Sequence, residues 1–139
     1  MKRPGFTLVE IMIVVAIIAT LAAFAIPAFI RVRIQANETS ALGSLRTIST
    51  SCVSFRSAQS PLSYPSNLAD LNNAVPPYID PVLGTGTKQG YNFNYTLVGP
   101  EQYTCAATPV TPNVTGSRTF FLDESGVIRL DDASGAPVE

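Results

Sequence analysis

Residues Phe6 to Ile30 read FTLVEIMIVVAIIATLAAFAIPAFI, an apolar run of 25 residues broken by a single charge, Glu10. As an α-helix the run would rise about 38 Å, somewhat more than the roughly 30 Å of hydrocarbon in a bilayer, so it is long enough to span with tilt. A charge at that depth costs about 2.5 to 3.5 kcal/mol, and such residues persist where a partner or a function compensates. Glu10 is therefore the residue whose partner has to be found.

The run follows a short basic leader, Met1-Lys2-Arg3-Pro4-Gly5. A secretory signal has an apolar core of about 7 to 15 residues, with small residues after that core where the peptidase cuts. Here the order is inverted, because the small residue, Gly5, precedes the apolar stretch. A cut between Gly5 and Phe6 would remove Lys2 and Arg3, keep the helix on the mature chain and create a cationic amine on Phe6. That amine lies less than two helical turns from Glu10. The alternative is a carboxylate that snorkels to the interface at the start of a simple anchor.

The string Gly5-Phe6-Thr7-Leu8-Val9-Glu10, followed by an apolar helix, resembles the processing site of type IV prepilins and of the pseudopilins of type II secretion systems. The resemblance covers residues 4 to 30 and is architectural over the rest. It implies a membrane peptidase that cuts after Gly5 and methylates Phe6. It also implies that Glu10 meets the terminal amine of a neighbouring subunit, and that Pro27 bends the helix. The physics agrees. Opposite charges about 4 Å apart attract by about 4 kcal/mol at an effective dielectric near 20, which offsets the insertion cost. First-turn amides of the same chain compete for the carboxylate, which makes a neighbour's amine the better partner. Paired that way, Glu10 would also set register between copies, as a lone polar residue does in a coiled coil.

Lys2 and Arg3 before the span are matched by Arg31 and Arg33 after it, so basic residues alone leave orientation tied. The turn-rich remainder carries both cysteines, which suits an exported domain, so residues 31–139 are placed outside. About 109 residues suffice for one small domain. The chain has 9 basic and 10 acidic side chains, and loss of the leader deepens the acidic excess, so no strongly basic nucleic-acid surface is expected.

Past Pro27 a new stripe begins. Ile34, Ala41, Leu45, Ile48, Cys52 and Phe55 recur at three-and-four spacing, which predicts an amphipathic helix over 31–57 that needs a covering layer. Counted from Phe6, the helix would be about 78 Å long. Pro27 predicts a kink or a melted stretch near Phe24 to Ala28, and Gly43 is a second weak point. Residues 58–89 hold Pro61, Pro65, Pro76, Pro77 and Pro81 and read as a connecting loop. One short helix is expected over Ser66 to Asn72, capped by Ser66, with Leu68, Leu71, Tyr78, Ile79, Val82 and Leu83 packing inward.

From residue 90 the period becomes two. Strands are expected over Tyr91 to Leu97, Tyr103 to Thr108, Arg118 to Leu122 and Val127 to Leu130, the last pair joined by a turn ending at Gly126. Short connections predict an antiparallel sheet of three or four strands, with 90–139 covering the helix stripe. The expected fold class is α+β: a long N-terminal helix packed on a small sheet.

Cys52 lies on the helix stripe and Cys105 on the inner face of the second expected strand. A disulfide between them would clamp sheet to helix and add about 4 kcal/mol on the chain-entropy model. The alternative is two buried free thiols. The disulfide is the expectation, and it departs from the C-terminal loop bridge of many pilins.

With no His in the chain, Ser-His-Asp and Cys-His arrangements and His metal ligands are excluded, so no enzyme, cofactor or metal site is expected. Asp123-Glu124 and Asp131-Asp132 fit no EF-hand loop and read as a hairpin turn and a solvated strand end. Asn37-Glu38-Thr39, Asn94-Tyr95-Thr96 and Asn113-Val114-Thr115 fit the glycosylation triplet, a pattern common by chance.

The leading expectation is a pilus subunit that polymerises into a helical homo-oligomer after a stage as a single-pass inner-membrane precursor. A pseudopilin or minor pilin is the alternative, and a monomeric anchored domain a third. Resemblance implies as partners the prepilin peptidase, an inner-membrane platform with its assembly ATPase, and an outer-membrane secretin. It implies adhesion, motility or DNA uptake as the fibre's use.

Overall fold

The structure, a computed structural model, describes Met1 and residues 5–138. Lys2, Arg3 and Pro4 of the expected leader lie outside the described residues. The chain forms two compact units, Met1–Arg33 and Ile34–Glu139. Its elements run α1 (Leu8–Ala58), α2 (Leu68–Asn73), α3 (Pro81–Gly84), β1 (Thr87–Lys88), β2 (Tyr91–Gly99), β3 (Gln102–Pro109), β4 (Phe120–Asp123) and β5 (Ile128–Leu130).

Within the first unit, no described residue packs on α1. Leu21 is 65% and Phe24 77% exposed, values that apolar side chains hold in water only at a large free-energy cost. This segment is long and apolar enough to cross a membrane. Residues 24–28 are helical, so the melted stretch expected around Pro27 is absent. The missing Pro27 N–H removes one bond without ending the helix.

Within the second unit, the stripe of α1 lies under a five-stranded antiparallel sheet of order β1-β2-β3-β4-β5. Ala41, Leu45, Ile48 and Cys52 face Tyr91, Phe93, Tyr103, Cys105, Ala107, Phe120, Leu122 and Ile128 in one core. The expected period of two holds: Tyr103, Cys105 and Ala107 are buried on β3, with exposed or half-buried neighbours between them. The meander is as expected, with one strand more. β1 is only two residues long, too short for any period to reveal. It pairs with β2 through a two-residue turn in which Gln89 (φ 46°) and Gly90 (φ 78°) are both left-handed, the geometry that matches strand twist. At Gly126 (φ 75°) the expected left-handed turn residue is present, its N–H donating to Asp123 O at 3.0 Å.

Three local expectations are corrected. The cap of α2 is Asn67, not Ser66: Asn67 Oδ1 accepts from Asp70 N at 3.0 Å while Asp70 Oδ2 accepts from Asn67 N at 3.2 Å, a closed capping box. α3 was unforeseen. Asp80 caps it by accepting from Leu83 N at 2.7 Å, and Pro81 opens it. Of the residues expected to pack inward, Leu68, Leu71, Ile79 and Leu83 are buried, but Val82 is 57% exposed. Beyond β5 the tail turns back on the sheet edge, with Leu130 N donating to Ala136 O at 3.0 Å and Val138 N to Ile128 O at 2.8 Å. That pairing shields an otherwise open strand edge.

The Cys52–Cys105 disulfide is not formed. Both residues are fully buried free thiols, packed as small core side chains. Burial pushes both thiols up to about 12. A thiolate is the reactive form, so native protein should resist alkylation at pH 8. Two thiols should then label in denaturant without reductant; labelling only after reduction would restore the bridge.

Candidate assembly site

Helix α1 begins at Leu8, which leaves Gly5, Phe6 and Thr7 outside the helix and exposed. The Gly5–Phe6 peptide bond is thus in non-helical, accessible chain, the state a peptidase can grip. Gly5 has open space around its Cα. Phe6, the expected methylation site, is 78% exposed.

Glu10 stands in the first turn of α1, where a negative charge opposes the helix dipole favourably. Its carboxylate is engaged by its own chain. Thr7 N donates to Glu10 Oε2 at 3.4 Å and Thr7 Oγ1 to the same oxygen at 3.3 Å, while Glu10 N donates to Thr7 Oγ1 at 3.2 Å. The string Thr-Leu-Val-Glu therefore closes as a capping box, a signature that Thr7 and Glu10 carry in their spacing alone. The competition expected from first-turn amides is real, and Thr7 supplies it.

A second carboxylate was missed. Glu38 is 3% exposed, in the stripe between Ile34 and Ala41. Ser117 donates to its Oε1 from N at 2.9 Å and from Oγ at 2.7 Å, and Arg118 donates to Oε2 from Nε at 2.8 Å and approaches it with a second nitrogen at 2.6 Å. Burial pushes the carboxyl up, but the Ser117 and Arg118 contacts outweigh it and hold Glu38 below its ordinary value. Next to it, Asn37 Nδ2 donates to Thr115 O at 2.8 Å. Tyr91 Oη donates to Arg118 O at 2.8 Å and fills the space beside Gly116, where a Cβ would collide with its ring. Together these contacts pin the β3–β4 connection to α1. The three-and-four spacing places residue 38 in the stripe; its charge hid it from a search for apolar residues.

The remaining candidates scatter. Asp123 pairs with Arg129 at 2.7 Å and accepts from Ser125 N at 2.9 Å inside the hairpin turn, and Asp132 accepts from Ser134 N at 2.8 Å in the tail. No group of three or more His, Cys, Asp or Glu that could hold a metal ion occurs among the described residues. Of the glycosylation triplets, Asn37 spends its amide on Thr115, whereas Asn94 and Asn113 are exposed.

The prokaryotic N-terminal methylation motif matches residues 1–26. The type IV major pilin protein PilA of Myxococcus xanthus (strain DK1622) is 46% identical over 54 residues, which are 39% of this chain and 24% of that protein. The match thus spans well under half the length of either. No solved structure matches the chain. The N-terminal segment of the chain is thus similar to that of type IV pilins, on an α+β fold built on a long N-terminal helix.

Because Glu38 is held low in the folded chain, its contribution to stability is complete above the ordinary value of 4.5 and is lost as pH falls through the lowered one. Asp80, held low chiefly by Lys88, and Asp123, held low by Ser125 and Arg129 against burial, act in the same direction. Glu38→Gln should cost about 1 to 2 kcal/mol at pH 7, since Arg118 is half exposed and screened. The cost should shrink below pH 4, in thermal melts followed by circular dichroism.

Proposed function

We propose that the chain is a structural subunit that polymerises through its N-terminal helix into a type IV pilus. The observation that carries this reading is an α1 segment of membrane-spanning length, uncovered by any described residue, with one acidic side chain four residues beyond Phe6. Covered neither by its own chain nor by water-compatible side chains, that surface suits lipid first and the same surface of other copies afterwards.

In this reading the precursor sits once across the inner membrane with residues 31–139 outside. The prepilin peptidase cuts after Gly5 and methylates Phe6. The platform and its ATPase then extract the mature chain, and a secretin passes the fibre outward to serve adhesion, motility or DNA uptake. Glu10 meets the terminal amine of a neighbour, an attraction of about 4 kcal/mol at an effective dielectric near 20. Pro27, lacking its N–H, is where α1 would bend as it packs into the fibre. The Myxococcus relative is a major pilin, which favours a surface fibre over a pseudopilin of a secretion piston.

Glu10→Gln keeps size and hydrogen bonding but removes the charge. The variant should still be cut and inserted, yet yield about a hundredfold fewer fibres, the order expected from losing roughly 3 kcal/mol per contact. Electron microscopy of sheared material, with mass spectrometry of its N-terminus, reads both. Fibres at parental yield, or fibres beginning at Met1, overturn the proposal.

A further inference from the structure

We infer that Thr7 is a positioning residue for Glu10: it holds the carboxylate at the start of α1 in the solitary protomer and is displaced by the neighbour's amine on assembly. This rests on the filament reading above and adds to it a residue and an order of events. A carboxylate in an apolar segment needs a partner before any neighbour arrives. Thr7 is that partner by two contacts to Oε2, and its hydroxyl accepts a third from the Glu10 N–H. No other side chain among the described residues bonds to Glu10, and neighbouring Leu8, Val9, Ile11 and Met12 offer only apolar groups.

The contacts are built to be exchanged. All three lie between 3.2 and 3.4 Å, at or beyond the long end of the range for ordinary hydrogen bonds. They are also neutral donors. A cationic amine makes a shorter, charge-assisted bond about twice as strong, so it displaces a hydroxyl from the same oxygen. The hydroxyl is what matters, because Oγ1 both donates to the carboxylate and accepts from the Glu10 N–H, tying the side chain to the first turn at a defined height. Without it the first turn frays, and the carboxylate loses the fixed axial offset at which a neighbour's terminus must find it.

Thr7→Val removes the hydroxyl at constant shape, and Thr7→Ser keeps it. In the full uncleaved chain in micelles, Thr7→Val should speed amide exchange at Glu10 several-fold by NMR while leaving Ala41 and Leu45 unchanged. This readout does not depend on processing. In cells, Thr7→Ser should make fibres at parental yield and Thr7→Val several-fold fewer. A merely apolar role for Thr7 predicts the reverse order, with valine at least as good as threonine. Parental exchange at Glu10 in Thr7→Val overturns the inference, as does parental fibre yield from Thr7→Val when Glu10→Gln yields about a hundredfold fewer. Parental yield from Glu10→Gln would instead bring down the filament reading beneath it.

Discussion

No described residue covers the apolar surface of α1 between Leu8 and Ile30, and that deficit governs everything else. Burying one large apolar side chain is worth about 1.5 to 3 kcal/mol, so a segment of such residues left in water would be prohibitively unfavourable. Lipid can accept it, and so can other copies of the same segment. Between those two environments the apolar term changes little, because lipid tails are as apolar as the side chains they solvate. Polar and packing contacts must therefore bias the transfer from one to the other. That gives a single buried charge leverage out of proportion to its size.

The second half of α1 solves the same problem internally. From residue 34 onward the stripe meets a sheet of its own chain, and the core closes over Leu45, Ile48 and Cys52. Carboxylates occur in both halves, Glu38 buried and Glu10 exposed, and their partners differ in kind. Glu38 has four close contacts from Ser117 and Arg118, between 2.6 and 2.9 Å, which fix one connection of the sheet permanently. The Glu10 carboxylate has two longer ones, 3.3 and 3.4 Å, from a neutral residue three positions away. A saturated carboxylate makes a joint, whereas an under-satisfied one leaves a valence for something outside the chain. The contrast between the two sites makes Glu38 a structural joint and fits the proposed role of Glu10 in assembly.

Legibility in the sequence followed how many residues vote for each feature. The span, the helix stripe and the four longer strands each rest on runs of apolar residues with one period, and all were readable. β1 has two residues and the returning tail is held by backbone bonds to Ala136 and Val138, so neither carries a periodic signal. Asn67 and Ser66 are both good caps by type, and only the position of Asp70 three residues on separates them. The disulfide was expected because Cys52 and Cys105 do share a core, which spacing could reveal; whether their sulfurs bond depends on geometry that spacing does not encode. Glu38 was lost by looking for apolar residues where the rule concerns position on the helix, whatever the side chain.

That last point applies equally to Thr7 and Glu10. Their spacing is that of a capping box, and reading Glu10 only as a charge in a membrane hides that it is also the third residue of a cap. Both descriptions hold, and they bear on each other. A cap sets where a helix starts, and where α1 starts fixes the height of its acid relative to Phe6, the terminus in the proposed processing. In that proposal processing and helix initiation converge on the same few residues. The proposed cut would define which atom becomes the amine, the cap defines where the carboxylate stands, and the separation between them along the axis would be set before any second copy is present. Copies whose acid and amine stand at one shared offset can add to one another only with a repeated axial step, and a constant step is what makes an open-ended polymer rather than a closed cluster.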